Sequence, residues 1–495
     1  MRGDIGRSLP DAWRWVAALL ALTLLRLAVA ASVPLAPDEA YYWVWSRALA
    51  PGYPDHPPMV ALWIRLGTML AGDGALGIRL LGPLSVAVAS LLLADAGNRL
   101  LPGRDAGLRA ACLMNATLLF GVGAVVITPD TPLLFFWTCT LWALARLLRD
   151  GRPIWWLAVG GFAGLAMASK YTAALLWFGI ALWLLVTPSM RFWWQRPMPW
   201  LGAALGVVVF LPVLLWNAAH GWASFARQGG RVGVWHPADA ARFLGELIAG
   251  QFGLVTPLIF VLCTAGVAVA ARIAWQQRDP AWTLLAALTL PATLLFIQHA
   301  LGDRVQGNWP AIIYPAAAIA AAGLQAPLWQ RLYAPALAVG LGITLLAYAQ
   351  ASLAVLPLPV RLDPIALRLA GWDTLAAAVD AARRQAGASF IAADQYGVAA
   401  ELAHERLPGV PVFGVEPRWA LFDLPPAPIA GQVGVLVRSA RQGNDVDRAP
   451  WSGMTEIGRT ARQSGSAAIE VFRLYRVIGV GGVTDAVALP DRRDR

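Results

Sequence analysis

Four side chains stand out for chemistry before anything else does. Asp38 and Glu39 lie side by side in "APDEAYYWVW", directly after an apolar run at 13–33. Asp130 sits in "ITPDTPLLFF", with Pro129 and Pro132 around it and an apolar run on either side. Lys170, in "GLAMASKYTAALL", is the only lysine of the 495 residues, the pattern expected if codon bias has put arginine wherever either residue would serve. A single retained ammonium points to a task the broad guanidinium cannot do, a compact charge aimed at a phosphate or carboxylate. The alternative is a lysine snorkelling from a helix end to the interface. A carboxylate held partly desolvated at headgroup depth, as Asp38 beside the aromatic Tyr41, Tyr42 and Trp45 would be, suits a general base acting on a hydroxyl. The alternative for Asp38 and Glu39 is a pair of solvated loop acids. For Asp130 it is N-capping of the helix that follows.

The elements that must position these residues cross a membrane. The chain is 58% hydrophobic and 14% charged, far from the average of soluble domains. Apolar runs of membrane-crossing length fall near 13–33, 75–97, 107–127, 131–148, 154–169, 171–187, 200–217, 251–273, 282–300, 310–324 and 331–355, about eleven helical spans. The first is too long, and contains Arg26, to be a cleaved signal peptide. Arg2, Arg7 and Arg14 hold the N-terminus on the cytoplasmic side. The loops with Arg99, Arg104 and Arg109, with Arg146, Arg149 and Arg152, with Arg191 and Arg196, and with Arg272 and Arg278 follow it there. The outer side then holds 34–74, 128–132, the turn at Lys170, 218–250 and 299–310, with all five histidines: His56, His220, His236, His299 and His404. The net charge of +10 reads as topology and attraction to the inner leaflet, with no nucleic-acid partner. Beyond about 360 the composition turns polar, and "ASFIAAD", "QVGVLVR" and "AAIEVFRLYRV" alternate as strands around a helix at 374–385. This predicts a membrane domain over 1–360 and a small soluble α/β domain over 361–495, placed outside by the odd span count and ending in a disordered tail. Cys112, Cys139 and Cys263 fall within spans and form no disulfide framework. Neither a Walker A loop nor a GxGxxG after a strand occurs, which removes the main signature of ATP-driven transport.

Five segments in order, "PDEAYYWVWSRALAPGYPDHPPMVALWIRLG", "ITPDTPLLFFWT", "GLAMASKYT", "FLPVLLWNAAHGWASFARQ" and "VQGNWPAIIYPAA", resemble the bacterial family 39/83 glycosyltransferases. These are relatives of the protein O-mannosyltransferases and of the aminoarabinose transferase of lipid A, and they share the GT-C fold. The resemblance covers roughly residues 13–355. It implies a multi-pass enzyme of the bacterial inner membrane that takes a sugar from a polyprenyl-phosphate donor at the periplasmic face, usually with inversion. The acceptor would be an envelope glycolipid, glycan or protein. On this resemblance Asp38, Glu39 and Asp130 are the catalytic acids, with Asp38 as base. Lys170 matches the contact to the donor phosphate, and Tyr42, Asp55, His56, His220, Arg304, Gln306, Asn308 and Trp309 line the substrate site. No cofactor is expected. The ligands for a divalent metal would be His56, His220 and His236 with Asp38, Glu39 or Asp55, but their spacing is not the tight spacing of a metal site.

The alternative from another class is a carrier or flippase for lipid-linked sugars, in which charges line a pathway through the spans. Here they gather on one face, and no half-to-half repeat is visible. An O-antigen ligase or polymerase would share the donor, but such enzymes normally lack the paired acids after the first helix.

Overall fold

The computed structural model describes residues 9–491 apart from 104, 230–234, 406–408, 444–445 and 482–485. Arg2, Arg7 and Arg104, and the last four residues of the expected tail, lie outside the described residues. The chain divides into two compact units. The first takes in residues up to Ala28, Asp55–Val60 and Leu81–Tyr348; the second takes in Val29–Pro54, Ala61–Leu80 and the chain from Ala349 onward. The C-terminal part therefore shares its unit with two segments from near the N-terminus.

The chain is mostly helical. By length and apolar composition, seven helices among the described residues can cross a membrane: Trp13–Ser32, Ala75–Leu100, Asp130–Asp150, Pro197–Ala219, Pro257–Gln277, Pro280–Ala300 and Pro327–Leu353. The number rises to nine if the pairs Ala106–Asn115 with Leu118–Val125 (bent by 66°) and Tyr171–Val186 with Pro188–Gln195 (bent by 111°) each count as one span. The expected spans at 154–169 and 310–324 are the shorter helices Trp155–Met167 and Trp309–Ala322. Each rises about 20 Å, short of the roughly 30 Å hydrocarbon core. Residues 34–74, read from sequence as an outer loop, contain the helices Pro37–Arg47 and Met59–Ala71.

Local sequence explains where helices begin and how closely they pack. Proline opens the helices at 197, 257, 280 and 327, where its missing N–H would have had no helical partner. Asp279 caps the third of these, accepting from the N–H groups of Ala281 and Trp282 at 3.0 Å. In the first unit, Gly160 and Gly164 face Gly202 and Gly206; a Cβ at Gly160 would stand 1.8 Å from the Gly202 carbonyl oxygen. This is the small-xxx-small contact that lets two apolar helices approach backbone to backbone.

The second unit holds a six-stranded mixed sheet in the order β4-β5-β3-β1-β2-β6. The strands are β1 (Phe390–Ala393), β2 (Val412–Gly414), β3 (Val433–Ser439), β4 (Trp451–Ser464), β5 (Ala467–Gly479) and β6 (Val487–Ala488). The three segments expected as strands become β1, β3 and β5, and the expected helix is Trp372–Gln385. β1 pairs in parallel with β2 and β3, and the other pairings are antiparallel. Phe390, Phe413, Leu436 and Val477 fill its core.

Candidate active site

In the first unit, three separated segments meet on one carboxylate. Asp130 opens the helix Asp130–Asp150 but does not cap it. Its Oδ1 accepts from Lys170 Nζ at 2.7 Å and its Oδ2 from Asn308 Nδ2 at 2.5 Å. Just ahead of this helix the Thr128 N–H donates to Thr131 Oγ1 at 3.1 Å. Lys170 lies where the helix Trp155–Met167 has run out. Its backbone is extended (φ −159°, ψ 141°) before the short 3-10 turn Tyr171–Ala173, and this turn aims the side chain at Asp130. Lys170 and Asp130 are 7% and 8% exposed, so the ammonium faces a carboxylate and does not snorkel to water. Desolvation offsets most of the attraction in such a pair, so its presence says little about stability and more about a use for the charge.

The carbonyl of Gly307, the residue before Asn308, accepts from Gln251 Nε2 at 2.9 Å, while Gln251 Oε1 accepts from the Tyr314 hydroxyl at 2.9 Å. Gln306 is exposed, and its carbonyl accepts the Trp309 N–H at 3.0 Å. The Trp309 ring lies 5.5 Å from His299. Asp55 pairs with Arg227 at 2.8 Å, and its carbonyl accepts from Gln228 at 2.6 Å; it is followed by His56. His220 stacks on Trp216 at 4.2 Å and its Nδ1 meets the Trp216 carbonyl at 2.8 Å. Arg304 forms a two-pronged bond with Glu246 at 2.6 and 2.9 Å, and that partner holds the Glu246 carboxyl below its usual range. The far end of the helix Asp130–Asp150 carries a different cluster, in which Arg99 and Arg146 meet Asp95 and Arg99 also reaches Asp150. The two polar groups are thus separated by about 30 Å of helix, one hydrocarbon thickness.

In the second unit, Asp38 and Glu39 part company. Glu39 is fully buried against Arg79, which donates to its two oxygens at 2.8 and 2.6 Å. Glu39 also accepts from the Ala36 N–H at 3.0 Å, while Arg79 ties down the carbonyls of Ala30, Val33 and Pro34. A carboxylate engaged in this way fixes the entry to the helix Pro37–Arg47. Asp38 is partly exposed and accepts from the Tyr396 hydroxyl at 3.1 Å. Tyr42 is buried, edge-on to Trp45 at 5.0 Å. Among the described residues no three His, Cys, Asp or Glu side chains converge so as to hold a metal ion. Arg79, Arg227, Gln251 and Tyr396 escaped the sequence reading. Arg79 alone gave a local signal, as an arginine at the mouth of a span on the side poor in positive charge.

Comparison with known proteins now bears on these geometries. Residues 55–216 match the family model described as dolichyl-phosphate-mannose-protein mannosyltransferase. The lipid A galacturonosyltransferase RgtD of Rhizobium johnstonii is 30% identical over 419 residues, 81% of this chain and 86% of RgtD. The chain belongs to the GT-C glycosyltransferases. Crystal structures of ArnT from Cupriavidus metallidurans, in the apo state and bound to undecaprenyl phosphate, share its fold. Both have a TM-score of 0.60 at 16% identity, cover 94% and 95% of this chain, and have 98% of their own chain covered. This GT-C chain is a multi-pass membrane glycosyltransferase with a small C-terminal sheet domain.

Proposed function

We propose that this enzyme transfers a sugar from an undecaprenyl-phosphate donor to a lipid A-type acceptor at the periplasmic face of the bacterial inner membrane, with inversion. The observation that carries the reading is the buried Lys170–Asp130 pair with Asn308 bonded to it from the surface, built around the only lysine of the chain. The relation to RgtD supports the acceptor class, and the ArnT complex with undecaprenyl phosphate supports the donor class. The arginine-rich end of the helix Asp130–Asp150, opposite Lys170, supports the orientation.

An ammonium has three N–H donors, and Asp130 takes one. In our reading the donor phosphate accepts from the others. As the bond between the anomeric carbon and the phosphate oxygen breaks, the electron pair goes to the phosphate, and Lys170 stabilises that growing charge more than it does the ground state. The acceptor hydroxyl forms the new bond to the anomeric carbon and gives its proton to Asp38. Asp130 and Asn308 orient Lys170, and Glu39 with Arg79 fixes the backbone that carries Asp38. Purified enzyme in nanodiscs, given radiolabelled undecaprenyl-phosphate galacturonic acid and lipid A, should form labelled lipid A and free undecaprenyl phosphate. Movement of intact donor between leaflets without its consumption would mark a carrier instead.

A further inference from the structure

Asp38 is held by the C-terminal part of its own unit, and we propose that Tyr396 is the positioning residue for this base; the inference rests on Asp38 having the role proposed above. Tyr396 lies 358 residues away in sequence, yet its hydroxyl donates to Asp38 Oδ1 at 3.1 Å. Three further contacts fix that hydroxyl. The Tyr396 ring packs against Tyr41 at 4.5 Å, one helical turn beyond Asp38. The Arg418 guanidinium lies 4.0 Å over the same ring and is itself bonded to Glu416 at 2.6 Å. The other Glu416 oxygen accepts the Tyr396 backbone N–H at 2.9 Å. One carboxylate therefore ties down both the backbone and, through Arg418, the ring. Gly397 permits the approach, since a Cβ there would already stand 3.0 Å from Pro37. A base must be held in a narrow range of orientations to receive a proton in the transition state, and a single hydrogen bond from a locked phenol restricts carboxylate rotation. Packing alone would ask only for the ring; the hydroxyl is what reaches Asp38.

The test uses full-length enzyme in nanodiscs with undecaprenyl-phosphate galacturonic acid and lipid A as probes. Tyr396→Phe keeps the ring and removes the donor. It should lower kcat by about three- to tenfold, the effect of one hydrogen bond, with KM for both substrates and Tm unchanged. Tyr396→Leu should show the same loss of kcat and, in addition, a lower Tm. Asp38→Asn is measured in parallel. If Asp38→Asn is inactive while Tyr396→Phe has wild-type kcat, the positioning role is wrong and the base survives. If Asp38→Asn turns over at the wild-type rate, both fall.

Discussion

Replacing Lys170 separates the structural from the chemical role of the buried Lys170–Asp130 pair. In Lys170→Met the carboxylate of Asp130 keeps Asn308 at 2.5 Å but loses the ammonium at 2.7 Å, in a place where only 8% of Asp130 is exposed. Breaking one side of a buried pair costs about 3–5 kcal/mol because the remaining charge stays desolvated. The second change Asp130→Asn removes that charge and should restore most of the lost stability. Transfer should not return with it. A charge-assisted contact to the leaving phosphate is worth roughly 1.5–3 kcal/mol, about ten- to a hundredfold in rate. Lys170→Arg should fold well, since a guanidinium pairs readily with a carboxylate, yet should be slower because its planar fork replaces a point charge. The assay is sugar transfer per folded molecule alongside thermal unfolding in detergent. If the double variant regains both stability and transfer, Lys170 serves only to neutralise Asp130, and the proposed phosphate contact is refuted.

Three other outcomes follow from the same geometry. Arg79→Met leaves Glu39 fully buried without its cation and should cost about 3–5 kcal/mol, with Arg79→Met/Glu39→Gln recovering part of it by thermal unfolding. Burial, with help from Glu405 and Glu39 and against Arg462 and Arg79, pushes the Glu401 carboxyl well above its ordinary range. The folded state then keeps a proton that the unfolded chain releases, so this contribution is complete below about pH 4 and is lost as pH rises, at up to roughly 1.4 kcal/mol per pH unit. Glu401→Gln should therefore unfold with a flatter pH dependence as pH rises above the ordinary glutamate range, and an unchanged slope would count against a protonated Glu401. Reporter fusions at residue 240 and after residue 480 should behave as periplasmic, and cytoplasmic activity at either position would overturn the orientation.

The sequence made the membrane class, the order of the helices and the sheet domain legible because apolar runs and strand alternation are local. Helix count was harder to read: hydropathy counts the 154–169 and 310–324 runs as spans, but only the folded backbone reveals that the helices there stop at 167 and 322. Asp38 and Glu39 read as a pair because they are neighbours. On a helix, neighbours point about 100° apart, and one turns to Arg79 while the other turns to Tyr396. Lys170 was conspicuous as a solitary residue type, but its bond to Asp130 was not, since the capping signal of a Thr-Pro start described Asp130 equally well. Tyr396 and Gln251 carried no signal at all. Each acts on a residue far away in the chain, and nothing in "DQYGV" or "AGQFG" distinguishes them from ordinary core polar groups. The same holds for the recruitment of residues 29–54 and 61–80 into the C-terminal unit, which depends on packing and not on composition.

The most direct test of the central claim is a single-turnover experiment on the purified enzyme in nanodiscs with undecaprenyl-phosphate galacturonic acid, labelled in the sugar, and lipid A. The account predicts that label appears on lipid A in step with release of undecaprenyl phosphate, that Asp38→Asn slows this by about a hundred- to ten-thousandfold, and that the variant still binds donor. Transfer by Asp38→Asn at the wild-type rate, or no transfer by the wild type from any undecaprenyl-phosphate sugar to any lipid A acceptor, would contradict it.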